Sequence, residues 1–168
     1  MKITTKILQE KQACSSGVEK FIEHFPSGEA EYQDVLDKLA ELNDVSNADW
    51  LIQTIGKTDA VLEINGNVER TNLFFAGSIK ATGYINVDLY LIAGGGIEAG
   101  CDIKAGCGIK AGDGIKAGDY FGVFAGMGVR LNRLSIDAQV ESKTKPKNLV
   151  SGFWVESSEA QHDQRQNA

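Results

Sequence analysis

Long apolar runs are missing from this chain. No stretch approaches the ~18 consecutive apolar residues that a membrane-spanning helix needs. The opening Met1-Lys-Ile-Thr-Thr-Lys lacks the apolar core and the small-residue cleavage site of a secretory signal. Together these absences predict a soluble, cytoplasmic protein with no membrane partner. Cysteine is sparse and odd in number. Cys14, Cys101 and Cys107 read as free thiols in a reducing compartment, not as a disulfide framework. A basic patch is also lacking. The net charge is −6, and Lys plus Arg fall short of Asp plus Glu in residues 1–58 (six against ten) and 59–129 (five against eight). Nothing follows a phosphate backbone, so direct nucleic-acid binding is disfavoured. The sharper reading of that balance is an acidic surface that docks on a basic partner.

What the chain does contain is organised in four parts. Residues 1–56 read as a helical head. Helices are expected over residues 5–12, 15–24 and 30–42, and from a Ser46 or Asn47 cap to Ile55, with Gly56 closing the last. The head is too small to bury much alone, so it is expected to cover the N-terminal end of the body. Residues 57–129 are that body, and 130–156 are strands that cap or extend it. Residues 157–168 form a polar tail predicted to be disordered.

The body is defined by repetition. A large apolar residue recurs every six positions: Leu73, Ile79, Ile85, Leu91, Ile97, Ile103, Ile109, Ile115, Phe121 and Met127. Two residues after each comes a second, smaller apolar side chain, and the unit reads most clearly as Ile-Lys-Ala-Gly-x-Gly. Alternation within each unit is a strand signal. Most of the nineteen glycines fall between residues 94 and 128, which excludes a helix and points to corners where a positive φ is cheap. The fold class is therefore mainly β with an α-helical N-terminal region. The body is a triangular β-helix, or β-solenoid, of roughly 18 residues per coil.

That geometry predicts core columns Ile79–Ile97–Ile115, Ile85–Ile103–Phe121 and Leu73–Leu91–Ile109–Met127. It also predicts an outer column Lys80–Glu98–Lys116 of alternating charge and a corner column Tyr84–Asp102–Tyr120. Residues 59–72 read as an irregular first coil, one residue out of register. Leu134, Ile136, Ala138 and Val140 alternate as a strand.

The hexads Gly96-Ile-Glu-Ala-Gly100, Asp102-Ile-Lys-Ala-Gly106, Gly108-Ile-Lys-Ala-Gly112 and Gly114-Ile-Lys-Ala-Gly118 resemble the repeats of bactofilin-like, polymer-forming β-helix proteins. The resemblance covers residues 60–129 and implies right-handed triangular coils that assemble end to end. The helical head departs from that family's pattern. With Ala13-Cys14, Gly17, Phe21, Phe25-Pro26, Gly28 and Ala48-Asp49-Trp50-Leu51-Ile52, the head resembles an N-terminal module of uncharacterised bacterial and prophage proteins. That resemblance implies no chemistry and points to a bacterial or mobile-element accessory protein.

Enzymatic readings lack residues. Hexapeptide acyltransferases use a histidine in or beside the coils, and here the histidines are His24 and His162. His24 reads as a helix C-terminal residue favoured by the dipole, and His162 lies in the tail. Gly106-Cys-Gly108-Ile-Lys-Ala111 fits the G-x-G-x-x-A dinucleotide pattern, but that mechanism needs a helix opening at the loop, and another hexad follows. Cys101 and Cys107 lack the paired spacing of a zinc site. Asp113 and Asp119 read as solvated corners. No catalytic residue, cofactor or metal ligand is expected.

The sequence thus points to a non-enzymatic protein-binding module. Its candidate interaction surface is Glu98, Asp102, Asp113, Asp119, Tyr84 and Tyr120, and its partner is a protein or nucleoprotein. The mobile-element resemblance suggests a phage-encoded inhibitor of a bacterial defence complex, in the manner of an anti-CRISPR protein. A bactofilin-like polymer or other homo-oligomer is the alternative, and an acyltransferase lacking the usual histidine is the third reading.

Overall fold

Residues 1–157 are described by a computed structural model. The chain opens with β1 (Lys2–Thr4), paired antiparallel with β2 (Glu29–Glu31). Between them lie α1 (Thr5–Glu10) and α2 (Ser15–His24), and after them α3 (Tyr32–Glu41) and α4 (Val45–Ile55). The Thr4 hydroxyl accepts the Ile7 N–H at 3.2 Å and starts α1. Asp44, not Ser46 or Asn47, starts α4, because its carboxylate accepts the Asn47 N–H at 3.3 Å. Gly56, at φ 95°, ends it. Ala30, read as helical from the sequence, lies in β2 opposite the fully buried Ile3. Three-residue strands are too short to show alternation, which is why this pair was not legible.

The body is a parallel β-solenoid of about five turns. Its first coil is β3 (Val61–Ile64), β4 (Val68–Arg70) and β5 (Leu73–Phe75). The second is β6 (Ser78–Ala81), β7 (Ile85–Val87) and β8 (Leu91–Ala93), and the third β9 (Ile97–Ala99), β10 (Ile103–Ala105) and β11 (Ile109–Ala111). The fourth is β12 (Ile115–Lys116), β13 (Val123–Ala125) and β14 (Gln139–Ser142). The fifth has two strands, β15 (Leu149–Ser151) and β16 (Phe153–Glu156). Stacking gives three walls: β3-β6-β9-β12, β4-β7-β10-β13-β15 and β5-β8-β11-β14-β16. Residues 143–148 cross the first wall where a fifth strand would lie.

Ile79, Ile97 and Ile115 stack as predicted and are buried. Each such side chain contributes ~1.5–3 kcal/mol. The other two columns break at the fourth coil. Ile103 pairs with Val123, not Phe121, because the corner after β12 holds two extra residues. Ile109 pairs with Val140, not Met127, because the chain leaves the coil after Ala125 and returns only at Ala138. Phe121 and Met127 are exposed; the six-residue count reached them while the chain had already left its register. Residues 134–137 are not a strand but α5 (Leu134–Asp137). The Arg133 guanidinium donates to both Asp137 carboxylate oxygens, at 2.9 and 3.0 Å, and closes a helical turn there. In the first coil, Leu62 pairs with Ile79 and Val68 with Ile85, the one-residue offset read from the sequence.

The head lies against the third wall, not over the N-terminal end as a whole. Phe74 and Ile92 point outward from β5 and β8 and are buried among Ile3, Leu36, Leu51 and Ile52. Gln33 of α3 fits the edge of β5: its side-chain amide donates to Phe74 O at 2.8 Å and accepts from Ala76 N at 3.2 Å. Residues 158–168, which hold most of the expected tail, lie outside the described residues. Ser157, assigned to that tail, is buried, and its N–H donates to Ser142 O.

The hexad glycines serve close approach rather than a positive φ. Positive φ among glycines occurs at Gly28, Gly56, Gly66, Gly126 and Gly152, none of them a corner of the regular coils. A Cβ on Gly106 would lie 1.8 Å from the Asp88 carbonyl oxygen of the coil before. A Cβ on Gly96 would come no nearer than 3.4 Å to anything. Gly106→Ala is therefore expected to unfold the protein or cost several times the effect of Gly96→Ala, which should change stability by ~1 kcal/mol or less. Urea denaturation followed by circular dichroism measures both.

Candidate interaction surface

The six candidate residues fall at three places. Glu98 lies mid-strand on the first wall, in an outer column Glu63–Lys80–Glu98–Lys116, with its carboxylate 3.1 Å from Lys116 Nζ. Asp102 lies at the corner between the first and second walls. It accepts the Gly122 N–H at 2.9 Å and pairs with Lys104 at 2.8 Å. The Gly122 hydrogen bond, then Lys104, holds its carboxyl below the ordinary aspartate range. Tyr84 occupies the same corner one coil earlier, and its hydroxyl donates to the Glu69 carboxylate, which raises the phenol pKa. Asp119 and Tyr120 occupy that corner at the fourth coil, with Tyr120 99 % exposed. Tyr84 and Asp102 stack as expected, but Gly122, not Tyr120, takes the next position and accepts the Ile103 N–H.

Asp113 is elsewhere, at the corner between the third and first walls. It binds Lys57 at 2.7 Å and Lys143 at 3.1 Å. The Lys57 hydrogen bond is the main reason its carboxyl sits below the usual range. Glu98, Asp102 and Asp113 are thus each closed by a lysine of the same chain. The acidic balance does not form an open acidic face at these positions.

Two features went unread in the sequence. The first is a clamp on Lys110, whose ammonium lies 2.8 Å from Asp49 of α4 and 3.0 Å from Glu141 of β14. Burial works to lower the Lys110 pKa, yet the two carboxylates beside it outweigh burial and the pKa is raised. Asp49 Oδ1 is enclosed without a hydrogen bond of proper geometry, so the ammonium beside it compensates its charge. No spacing signals this contact, because Asp49 and Lys110 meet only once the head has docked.

The second is apolar. The corner 118–122 and the excursion 126–138 carry Tyr120, Phe121, Met127, Leu131 and Ile136 into solvent. Lys104 lies over the Phe124 ring at 5.4 Å beside that corner, a cation–π contact. The apparent hexads at 121 and 127 concealed both departures from the coil.

The head holds an apolar cavity of about 340 Å³ lined by Phe21, Phe25, Leu39, Trp50 and Leu51, with His24 on its wall. His24 stands in the last turn of α2, and His162 lies outside the described residues. Cys14, Cys101 and Cys107 are free thiols. Among the described residues no cluster of three or more His, Cys, Asp or Glu is placed to hold a metal, and no helix is long and apolar enough to cross a membrane.

Lys110→Met is expected to cost on the order of 2–3 kcal/mol, between the values for surface and buried pairs, because Asp49 stays enclosed. Adding Asp49→Leu should recover part of that loss in the same urea titration. Asp113→Asn is expected to cost ~0.5–1 kcal/mol, since the pair is half exposed. The folded-state Asp113 pKa is the lowered one. Its contribution is therefore present above about pH 4 and is lost as pH falls through the folded value. The urea midpoints of wild type and Asp113→Asn should converge in acid and separate at neutral pH.

Residues 1–58 match the family model of the YdhT N-terminal domain, an uncharacterised bacterial family. No bactofilin or hexapeptide-repeat family model matches the solenoid. No curated protein and no solved structure matches the chain. The match ends two residues beyond Gly56, where α4 closes, so it covers the head and not the solenoid.

Proposed function

We propose that this chain is a non-enzymatic protein-binding module in which the solenoid is a rigid support and the two departures from the coil carry the contact. The observation behind this reading is the exposure of Tyr120, Phe121, Met127, Leu131 and Ile136 on the corner 118–122 and the excursion 126–138. Insertions in repeat proteins map to loops that often form the binding face. Aromatic side chains on a fixed backbone make strong anchors, because little conformational freedom is lost on binding. Phe121 and Met127 stand at positions where the repeat would bury them, so their exposure is a departure from the scaffold's own pattern.

The finer version is an inhibitor of a bacterial defence complex of the anti-CRISPR kind, bound to a host nucleoprotein or nuclease. It draws on the similarity of the head to an uncharacterised bacterial family and on its resemblance to modules of prophage proteins. It draws little on charge, since Glu98, Asp102 and Asp113 are each paired with lysine. Binding should accordingly depend weakly on salt.

The test is capture of a host partner by the tagged full chain and by two variants, Tyr120→Ser/Phe121→Ser and Leu131→Ser/Ile136→Ser. Each variant is expected to fold like wild type and to lose at least about tenfold in affinity, roughly 1.4 kcal/mol. Undiminished capture by both variants overturns the reading.

A further inference from the structure

We infer that the C-terminal end of the solenoid pairs with the same end of a second copy, giving a closed two-fold dimer and not a filament. The inference rests on the strand edges and is independent of the partner proposed above.

A strand at the end of a wall carries a row of backbone N–H and C=O groups that only another strand satisfies well. β15 and β16 end the second and third walls, and no described residue forms a strand beyond them. Leu149 packs on the core from β15, and Trp154 stands opposite Val140 on the inner side of β16. Both are partly exposed at this open end.

Head-to-tail stacking is obstructed on two walls. At the N-terminal end, the Gln33 amide already satisfies the β5 edge at Phe74 O and Ala76 N. At the C-terminal end, residues 143–148 run past the first wall and are tied to the corners on either side of it, Lys143 N–H to Asp113 O and the Asn148 amide to Phe121 O at 2.9 Å. Pro146 is buried there and has no N–H to donate. Among the described residues the second wall has no further strand at either end, and at its N-terminal end the Arg70 guanidinium donates to Glu69 O.

Tail-to-tail stacking uses both free edges. A two-fold axis through the corner between the second and third walls sets β15 of each copy against β16 of the other, antiparallel. The first walls then meet through their 143–148 segments. The contact is self-complementary and closes after two copies. The Gln33-capped edges face outward, where they add no further subunit.

Sedimentation and hydrogen exchange of the full chain test this. A species of twice the 18.1 kDa chain mass is expected, with exchange protection of residues 149–156 that rises with protein concentration and no such rise at 61–64. Trp154→Arg should return the monomer. If that variant unfolds, the exchange pattern of the wild type still decides. A monomer persisting at concentrations on the order of 100 μM overturns the proposal. So do filaments, protection appearing at 61–64, or a monomer whose 149–156 protection is lost on deleting residues 158–168.

Discussion

The fold depends on the contact between one corner and the corner of the preceding coil. Parallel strands lie ~4.8 Å apart, and where the chain turns between walls the backbone of each coil rests on a carbonyl of the one before. Gly100 rests on Thr82, Gly106 on Asp88 and Gly112 on Gly94, each with less than 2.2 Å available for a Cβ. No side chain fits, so glycine is fixed there by contact and not by dihedral angle. The isoleucine columns then fill an axis whose width those corners have already set. The small alanines two residues on, Ala99, Ala105 and Ala111, are buried where three walls converge.

This constraint explains where the regular coil stops. At Gly118 the corner rule still holds, since a Cβ there would lie 2.1 Å from Gly100 O. The next residues, Asp119 and Tyr120, are additional. The chain regains its register at Val123 through the Gly122 N–H, which donates to Asp102. Asp102, a candidate for partner contact, is therefore also a structural brace for the irregular corner that exposes Tyr120. The excursion after Ala125 needs no such brace, because Ala138 and Val140 re-enter the core fully buried.

Local regularity was readable and long-range placement was not. Eight of the ten repeat anchors, Leu73 through Ile115, occupy core columns because period six maps directly onto three walls. Phe121 and Met127 satisfied the same count by coincidence, since two added residues leave an apolar residue in phase with the sequence and out of phase with the wall. Helices α1 to α4 were legible from apolar spacing and caps. The docking of the head was not. Phe74 and Ile92 sit at outward positions of their strands, where polar residues are the rule, and that break in alternation was the available signal. The charged candidates were chosen by sign, and sign alone could not reveal that Lys57, Lys104, Lys116 and Lys143 would close Glu98, Asp102 and Asp113.

The same outward pair explains why head and body act as one piece. Leu36 of α3 and Leu51 and Ile52 of α4 need an apolar floor, and Phe74 and Ile92 supply it. Lys110, next in that column, is charged, and Asp49 and Glu141 converge on it from opposite sides. The third wall thus changes from apolar docking surface to ionic clamp within one coil, which fixes how far along the solenoid the head extends. Beyond the clamp the column continues to Val155, which is exposed. The head thus spans the first three coils of the third wall, from Phe74 through Ile92 to Lys110, and α4 borders the excursion at Ile136 and Asp137.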